Sequence, residues 1–138
     1  MGCGKSTIAS LVGDAENVPV LCPDDFATPE PTSGNIKGRI DLKQLHKSAR
    51  KLLKRPAIFE GVCLEELLPR ASFGRGFIVY LKRVSLVAGG SPVWQDEKEL
   101  NARERAANPI DEEVRRYHRT YRPHERADLC LAVPEGCD

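Results

Sequence analysis

The chain has 138 residues, 41% hydrophobic and 30% charged, with 21 Lys+Arg against 20 Asp+Glu. That length predicts one domain with one sizeable core, and the composition excludes disordered and collagen-like chains. The near-neutral charge gives no reason to expect a nucleic-acid or membrane-surface partner. The longest apolar runs, such as Phe77-Ile78-Val79-Tyr80-Leu81, fall far short of the ~20 residues of a membrane span.

No apolar signal region follows Met1. The five cysteines are odd in number and contain no C-x2-C pair, so they are read as reduced, mostly buried thiols. Both observations point to the cytoplasm. The chain opens Met1-Gly2-Cys3-Gly4-Lys5-Ser6-Thr7 and continues into the apolar stretch Ile8–Val12. Gly-Lys-Ser-Thr before a helix is the second half of the phosphate loop G-x-x-x-x-G-K-[ST]. Its first glycine, and the strand that feeds the loop, are expected before Met1.

The residues suit a triphosphate. Gly2, Cys3 and Gly4 let successive backbone N–H groups turn inward as an anion nest, and the helix beginning near Lys5 adds the positive end of its dipole. The Lys5 ammonium can reach the β- and γ-phosphates. The Ser6 hydroxyl can ligate Mg2+, and Thr7 can add a phosphate hydrogen bond.

Gly13-Asp14 predicts the end of this helix. Val18–Cys22 reads as a buried strand ending at Pro23-Asp24-Asp25-Phe26, and a loop rich in proline and glycine follows from Ala27 to Lys37. Asp41 is a predicted N-cap. Leu42, Leu45, Ala49, Leu52 and Leu53 then recur at steps of one, three or four, marking an amphipathic helix over Asp41–Lys54. Its Lys43, Lys47, Arg50, Lys51 and Lys54 are placed on a solvated face, as is His46.

Pro56 ends that helix. Ala57–Phe59 is a short predicted strand closed by Glu60-Gly61, and Val62–Leu68 a brief helix stopped by Pro69. Phe77–Leu81 reads as a buried strand, Gly89–Pro92 as a loop, and Trp94 as a residue that packs a lid or, as the lesser alternative, stacks on a base. Glu97–Ala107 and Asp111–Arg119 are helices, and Ala127–Val133 is the final strand. Alternation of strands and helices argues for an α/β fold with a parallel sheet and no internal repeat.

In open α/β sheets ligands bind beyond the carboxyl ends of the strands. Asp24-Asp25 and Glu60 are predicted to lie there, on the same rim as the phosphate loop. A kinase needs one carboxylate to orient and deprotonate the attacking hydroxyl and another to hold Mg2+ against the β- and γ-phosphates. Asp24 suits the first role and Glu60 the second. His118 and His124 have no ligand spacing with any cysteine, so no zinc site is assigned.

Gly2-Cys3-Gly4-Lys5-Ser6-Thr7, Pro23-Asp24-Asp25-Phe26, Phe59-Glu60-Gly61 and Tyr117-His118-x-x-Tyr121-x-Pro123-x-x-x-Ala127-Asp128 follow one another along nearly the whole chain. In this order they resemble the uridine kinase-like P-loop kinases, a group that includes uridine-cytidine kinase, phosphoribulokinase and bacterial pantothenate kinase. The resemblance implies a P-loop NTPase fold, three layers α/β/α around a parallel sheet, with the first strand missing from this chain. It implies ATP and Mg2+ as cofactors, Asp24 as catalytic base with Phe26 two residues on, and Glu60 as the acid near Mg2+. It further implies acceptor contacts from Asp24, Phe26, Tyr117 and Tyr121, and lid arginines, Arg103 and Arg105, on the ATP phosphates. The usual lid pattern of adjacent arginines followed by Arg-Asp is replaced here by Asn101-Ala102-Arg103-Glu104-Arg105.

The leading expectation is therefore an ATP-dependent kinase acting on a hydroxyl of a nucleoside or similar small metabolite, with homo-oligomerisation left open. A nucleotide-binding module without turnover is the alternative. A transport ATPase subunit fits less well, because Ala88-Gly89-Gly90-Ser91 lacks the leucine-serine and glutamine of the L-S-G-G-Q signature. The basic aromatic stretch Arg115–His124 reads as a helix end with cations near its C terminus rather than as an RNA-binding patch.

Overall fold

The computed structural model describes residues 4–28, 36–52, 55–85, 93–94 and 109–134. Helix α1 spans Lys5–Glu16 and leads to the short strand β1, Val20–Leu21. A 3-10 turn covers Pro23–Phe26, and helices α2 (Ile36–Arg39) and α3 (Leu42–Leu52) follow. Strand β2 (Ile58–Phe59), helix α4 (Leu64–Arg70) and strands β3 (Val79–Ser85) and β4 (Val93–Trp94) come next. Helices α5 (Pro109–Tyr121) and α6 (Pro123–Arg126) precede the last strand, β5 (Leu129–Pro134).

The fold is mixed α/β with parallel pairing. Among the described residues the strands form two sheets: the parallel pair β1-β2, and a three-stranded sheet in the order β4-β3-β5. In the second, β5 runs parallel to β3 from Val79↔Leu129 to Val84↔Pro134, and β4 is antiparallel to the end of β3. The single three-layer sheet implied by the resemblance is not displayed by these two small sheets.

Helix α1 runs through the predicted Gly13-Asp14 stop to Glu16, and the cap residue Asn17, with a left-handed φ of 51°, closes it through N–H bonds to Gly13 and Asp14 carbonyls. Gly13 is buried inside the helix, where a Cβ would lie 2.6 Å from Val20 Cγ2 and 2.9 Å from the Val18 carbonyl oxygen. The glycine is there for close approach of α1 to β1, not to break the helix. Likewise Pro69 sits inside α4 rather than before its end. In the last turn the missing proline N–H removes only one ladder bond.

The Asp41 cap is as expected: its Oδ1 accepts from Lys43 N–H and Gln44 N–H, each at 3.0 Å. The apolar stripe of α3 buries Leu45 and Ala49, and Lys43, Lys47, Arg50 and Lys51 are exposed. His46 is different. Its ring is half-buried, its Nδ1 lies 2.6 Å from the Ala71 carbonyl oxygen, and it stacks on Phe73 with centroids 5.6 Å apart. The end of α4 folds back over α3 there and covers one side of the His46 ring.

The core lies between α3, α4 and α5. Ile40, Leu45, Cys63, Leu67, Ala71 and Tyr117 are buried together, with Phe26, Phe59 and Tyr121 packed against them. Leu45 is 0% exposed, and burial of such a side chain stabilises by roughly 1.5–3 kcal/mol. Two antiparallel contacts, Thr28 N–H to Arg39 O (2.6 Å) and Asp41 N–H to Phe26 O (2.8 Å), tie the 3-10 turn to the start of α3.

Strand β3 begins later than predicted. Phe77 is 75% exposed, because pairing starts only after the Asp128 carboxylate accepts Ile78 N–H at 2.8 Å. Arg75 adds an ion pair to the same carboxylate at 3.2 Å. On the other side, Tyr80 packs between the rings of His118 and His124, closing one face of the sheet with α5 and α6. Along β5, Leu129, Cys130, Leu131 and Ala132 are all exposed. No described helix is long and apolar enough to cross a membrane.

Candidate functional site

Gly4 supplies the entry to α1. Its φ of 68° is left-handed, and a Cβ there would meet nothing within 4 Å. Glycine is therefore required by conformation and not by space. No side chain caps the helix, and the first ladder bond runs from Ile8 N–H to Gly4 O at 2.9 Å. First-turn N–H groups have no carbonyl within the helix to receive them, and the dipole end is positive. Lys5, half-buried, and the exposed Ser6 and Thr7 line this turn.

Parallel pairing of β1 and β2, with Val20 opposite Ile58 and Leu21 opposite Phe59, ends both strands at the same rim. Glu60 N–H extends the ladder by one bond, to Leu21 O at 3.0 Å. This fixes the backbone of Glu60 beside Cys22. Packing of α1 across β1 and β2 then brings Ser6 to the rim, and its Oγ donates to Glu60 Oε1 at 2.9 Å. The predicted metal-side pair, Ser6 and Glu60, is thus in direct contact.

Asp24 follows within the 3-10 turn, exposed, while Asp25 N–H bonds back to Cys22 O at 3.1 Å. Between Asp24 and Glu60 lies Cys22. Burial first, and then the Glu60 contact, push the thiol up to about 11. The sequence had marked Cys22 only as one of five reduced thiols. Its place between the apolar run and Pro23-Asp24 was the available signal. Of the other cysteines described, Cys63 is buried and Cys130 exposed, so the expectation of mostly buried thiols holds for only part of the set.

The acceptor-side residues are placed differently. Phe26 packs against the hydrophobic core, Tyr117 is 6% exposed within it, and Tyr121 stacks on Tyr117 with centroids 5.2 Å apart. Burial raises the Tyr117 hydroxyl well above the ordinary phenol range, partly opposed by a hydrogen bond from Glu65 N–H. Of the arginines in the basic stretch, Arg119 pairs with Glu112 at 3.0 Å and Arg122 with Glu125 at 3.3 Å. Gly2, Cys3, Arg103 and Arg105 lie outside the described residues.

The donors at the rim suit Mg2+, a hard cation that takes few protein ligands, all oxygen, and retains waters. A hydroxyl and a carboxylate 2.9 Å apart are such a set. Among the described residues no three His, Cys, Asp or Glu side chains gather as a metal cluster. Comparison of the chain with protein-family models, with curated proteins and with solved structures finds no match in any of the three.

Proposed function

We propose that the chain is an ATP-dependent phosphotransferase with a P-loop type of nucleotide site, transferring the γ-phosphoryl group to a hydroxyl of a nucleoside or similar small metabolite. The finer fold proposed with it is the three-layer α/β/α P-loop arrangement. The observation that carries the reading is the 2.9 Å contact of Ser6 Oγ with Glu60 Oε1. It joins the hydroxyl of a Gly-Lys-Ser-Thr turn to a carboxylate at the end of a parallel strand, at a helix N terminus suited to phosphate.

In this reading the Lys5 ammonium and the first-turn amides bind the β- and γ-phosphate oxygens. Ser6 and Glu60 would hold Mg2+, which when bound neutralises charge on those oxygens. Asp24 orients the acceptor hydroxyl and takes its proton. A bond forms between the acceptor oxygen and the γ-phosphorus while the bond from that phosphorus to the β–γ bridging oxygen breaks, leaving ADP.

A test pairs Mg-ATP titration with phosphoryl transfer to a nucleoside panel. Lys5→Ala is expected to lower ATP affinity about tenfold or more, as loss of a charge-assisted contact does. Asp24→Asn should bind ATP as the parent does and transfer no phosphoryl group. Unchanged ATP affinity in Lys5→Ala would refute the nucleotide site.

The second reading, nucleotide binding without transfer, is favoured by one observation. Phe26 and Tyr117, the acceptor residues implied by the resemblance, are packed in or against the core. Binding of Mg-ATP with no acceptor phosphorylated in the same experiment would select it.

A further inference from the structure

We propose that Arg39 binds an oxyanion on the acceptor, so that the hydroxyl compound phosphorylated at this rim carries a phosphate or carboxylate group of its own; the inference rests on the phosphotransferase reading above. The backbone sets the place. Ala27 and Ile40 form an antiparallel bridge, and the Cα atoms of such a pair lie about 4.5–5.5 Å apart. Ala27 N–H also donates to Asp24 O at 3.1 Å, closing the 3-10 turn that carries the proposed base. Arg39, one residue before the bridge, is pinned through its carbonyl, which accepts from Thr28 N–H at 2.6 Å and from Thr28 Oγ1 at 3.2 Å. The bridge thus joins the segment of Arg39 to the turn of Asp24.

The guanidinium itself supplies the second observation. Arg39 is half-buried, and its Nε is shut off from solvent with no hydrogen-bond partner. The carboxylate of Asp41, two residues on, caps α3 instead of pairing with it. A buried donor on a group that is always charged costs the folded state free energy unless an acceptor meets it. An arginine presents its donors as a planar fork matched to the oxygens of a carboxylate or phosphate. An oxyanion on the acceptor meets this donor, next to the turn whose Asp24 takes the hydroxyl proton. A bare nucleoside carries no such group, so the acceptors narrow to hydroxyl compounds that are already acids or phosphate esters.

The experiment titrates inorganic phosphate and, separately, acetate into the full chain carrying Lys5→Ala, followed by calorimetry. That background removes the phosphate-loop ammonium from the measurement. Adding Arg39→Met is expected to weaken binding of the preferred anion about tenfold or more. Adding Arg39→Lys, which keeps the charge and loses the fork, should give an intermediate affinity. Preference for phosphate assigns a phosphate ester as acceptor, and preference for acetate a carboxylic acid. Without added anion, Arg39→Met should unfold at the same urea concentration as the parent or a higher one, because it removes the unmet donor. In transfer from Mg-ATP, ribose 5-phosphate is expected to be used better than ribose, or glycerate better than glycerol.

Anion affinity that Arg39→Met leaves unchanged overturns the proposal, as does a lower urea midpoint in that variant, which would make the guanidinium a folding group. No preference for the charged member of either acceptor pair overturns it as well. If any of these results appears while Lys5→Ala loses ATP affinity, the nucleotide site stands and only the role of Arg39 is lost. If Lys5→Ala binds ATP as the parent does, the nucleotide reading falls, and the acceptor role of Arg39 falls with it.

Discussion

Ser6 and Glu60 are 54 residues apart in sequence, and their side chains meet at 2.9 Å. The contact has two causes that can be separated. Parallel pairing of β1 with β2 sets Glu60 at the rim, and close packing of α1 over those strands delivers Ser6 to it. The pair is solvent-exposed, so its worth to folding is small. Ser6→Ala and Glu60→Gln are each expected to lower unfolding free energy by less than about 1.5 kcal/mol in urea titrations. In Mg-ATP binding a double-mutant cycle over the same variants should show strong coupling, with the double variant little worse than either single one.

Gly13→Ala should reverse the usual helix rule. On an exposed helix site this change stabilises by about 1 kcal/mol. Here the new methyl meets Val20 Cγ2 at 2.6 Å and the Val18 carbonyl oxygen at 2.9 Å. Overpacking of this kind destabilises by roughly 1–3 kcal/mol. The thermal midpoint is expected to fall. Since α1 would be pushed away from β1, contact between Ser6 and Glu60 should weaken too, visible as reduced Mg-ATP affinity. A rise in the midpoint would show that α1 does not pack on β1 this closely.

Tyr117→Phe separates packing from acceptor binding. The ring is 6% exposed within the core, so removing its hydroxyl is expected to change stability by about 0.5–1.5 kcal/mol. Nucleotide affinity and acceptor KM are expected to stay at the parent values. A selective rise in acceptor KM with unchanged stability would instead return Tyr117 to the substrate side.

The acid limb of stability should depend on Asp128. A hydrogen bond from Ile78 N–H, and then the Arg75 guanidinium, hold its carboxyl below the usual carboxylate value. A depressed folded-state value means the contribution is present above the unfolded value of about 3.9 and is lost as pH falls through the folded one. The urea midpoint of Asp128→Asn is therefore expected to lie below that of the parent at pH 6, and the gap to narrow steadily as pH is lowered from about 4 towards 2. A gap that does not change over that range would assign the effect to amide geometry and not to charge.

The local pattern of the chain was legible where short-range rules decide. Asp41 caps α3 because a carboxylate before an amphipathic run has free N–H groups to accept from, and the stripe Leu45–Ala49 is buried as its spacing requires. Asp24 and Glu60 were readable as rim residues because apolar strands precede both. Tertiary approach decided the rest. Gly13 looked like a stop and is a contact point; His46 looked solvated and is covered by the turn after α4. The nearness of Cys22 to Glu60 depends on a strand register that its place before Pro23-Asp24 only hints at. Tyr117 and Tyr121 are four apart on one helical face, and that face turned out to be the buried one.

Strand β5 adds a practical consequence. From Leu129 to Pro134 it has no charged side chain, and within the described sheet only β3 pairs with it. Such a ribbon offers its outer amides and carbonyls to any extended chain that drifts past. Lateral growth of this sheet in concentrated samples is the expected consequence, and Ala132→Lys is expected to reduce it in light-scattering measurements.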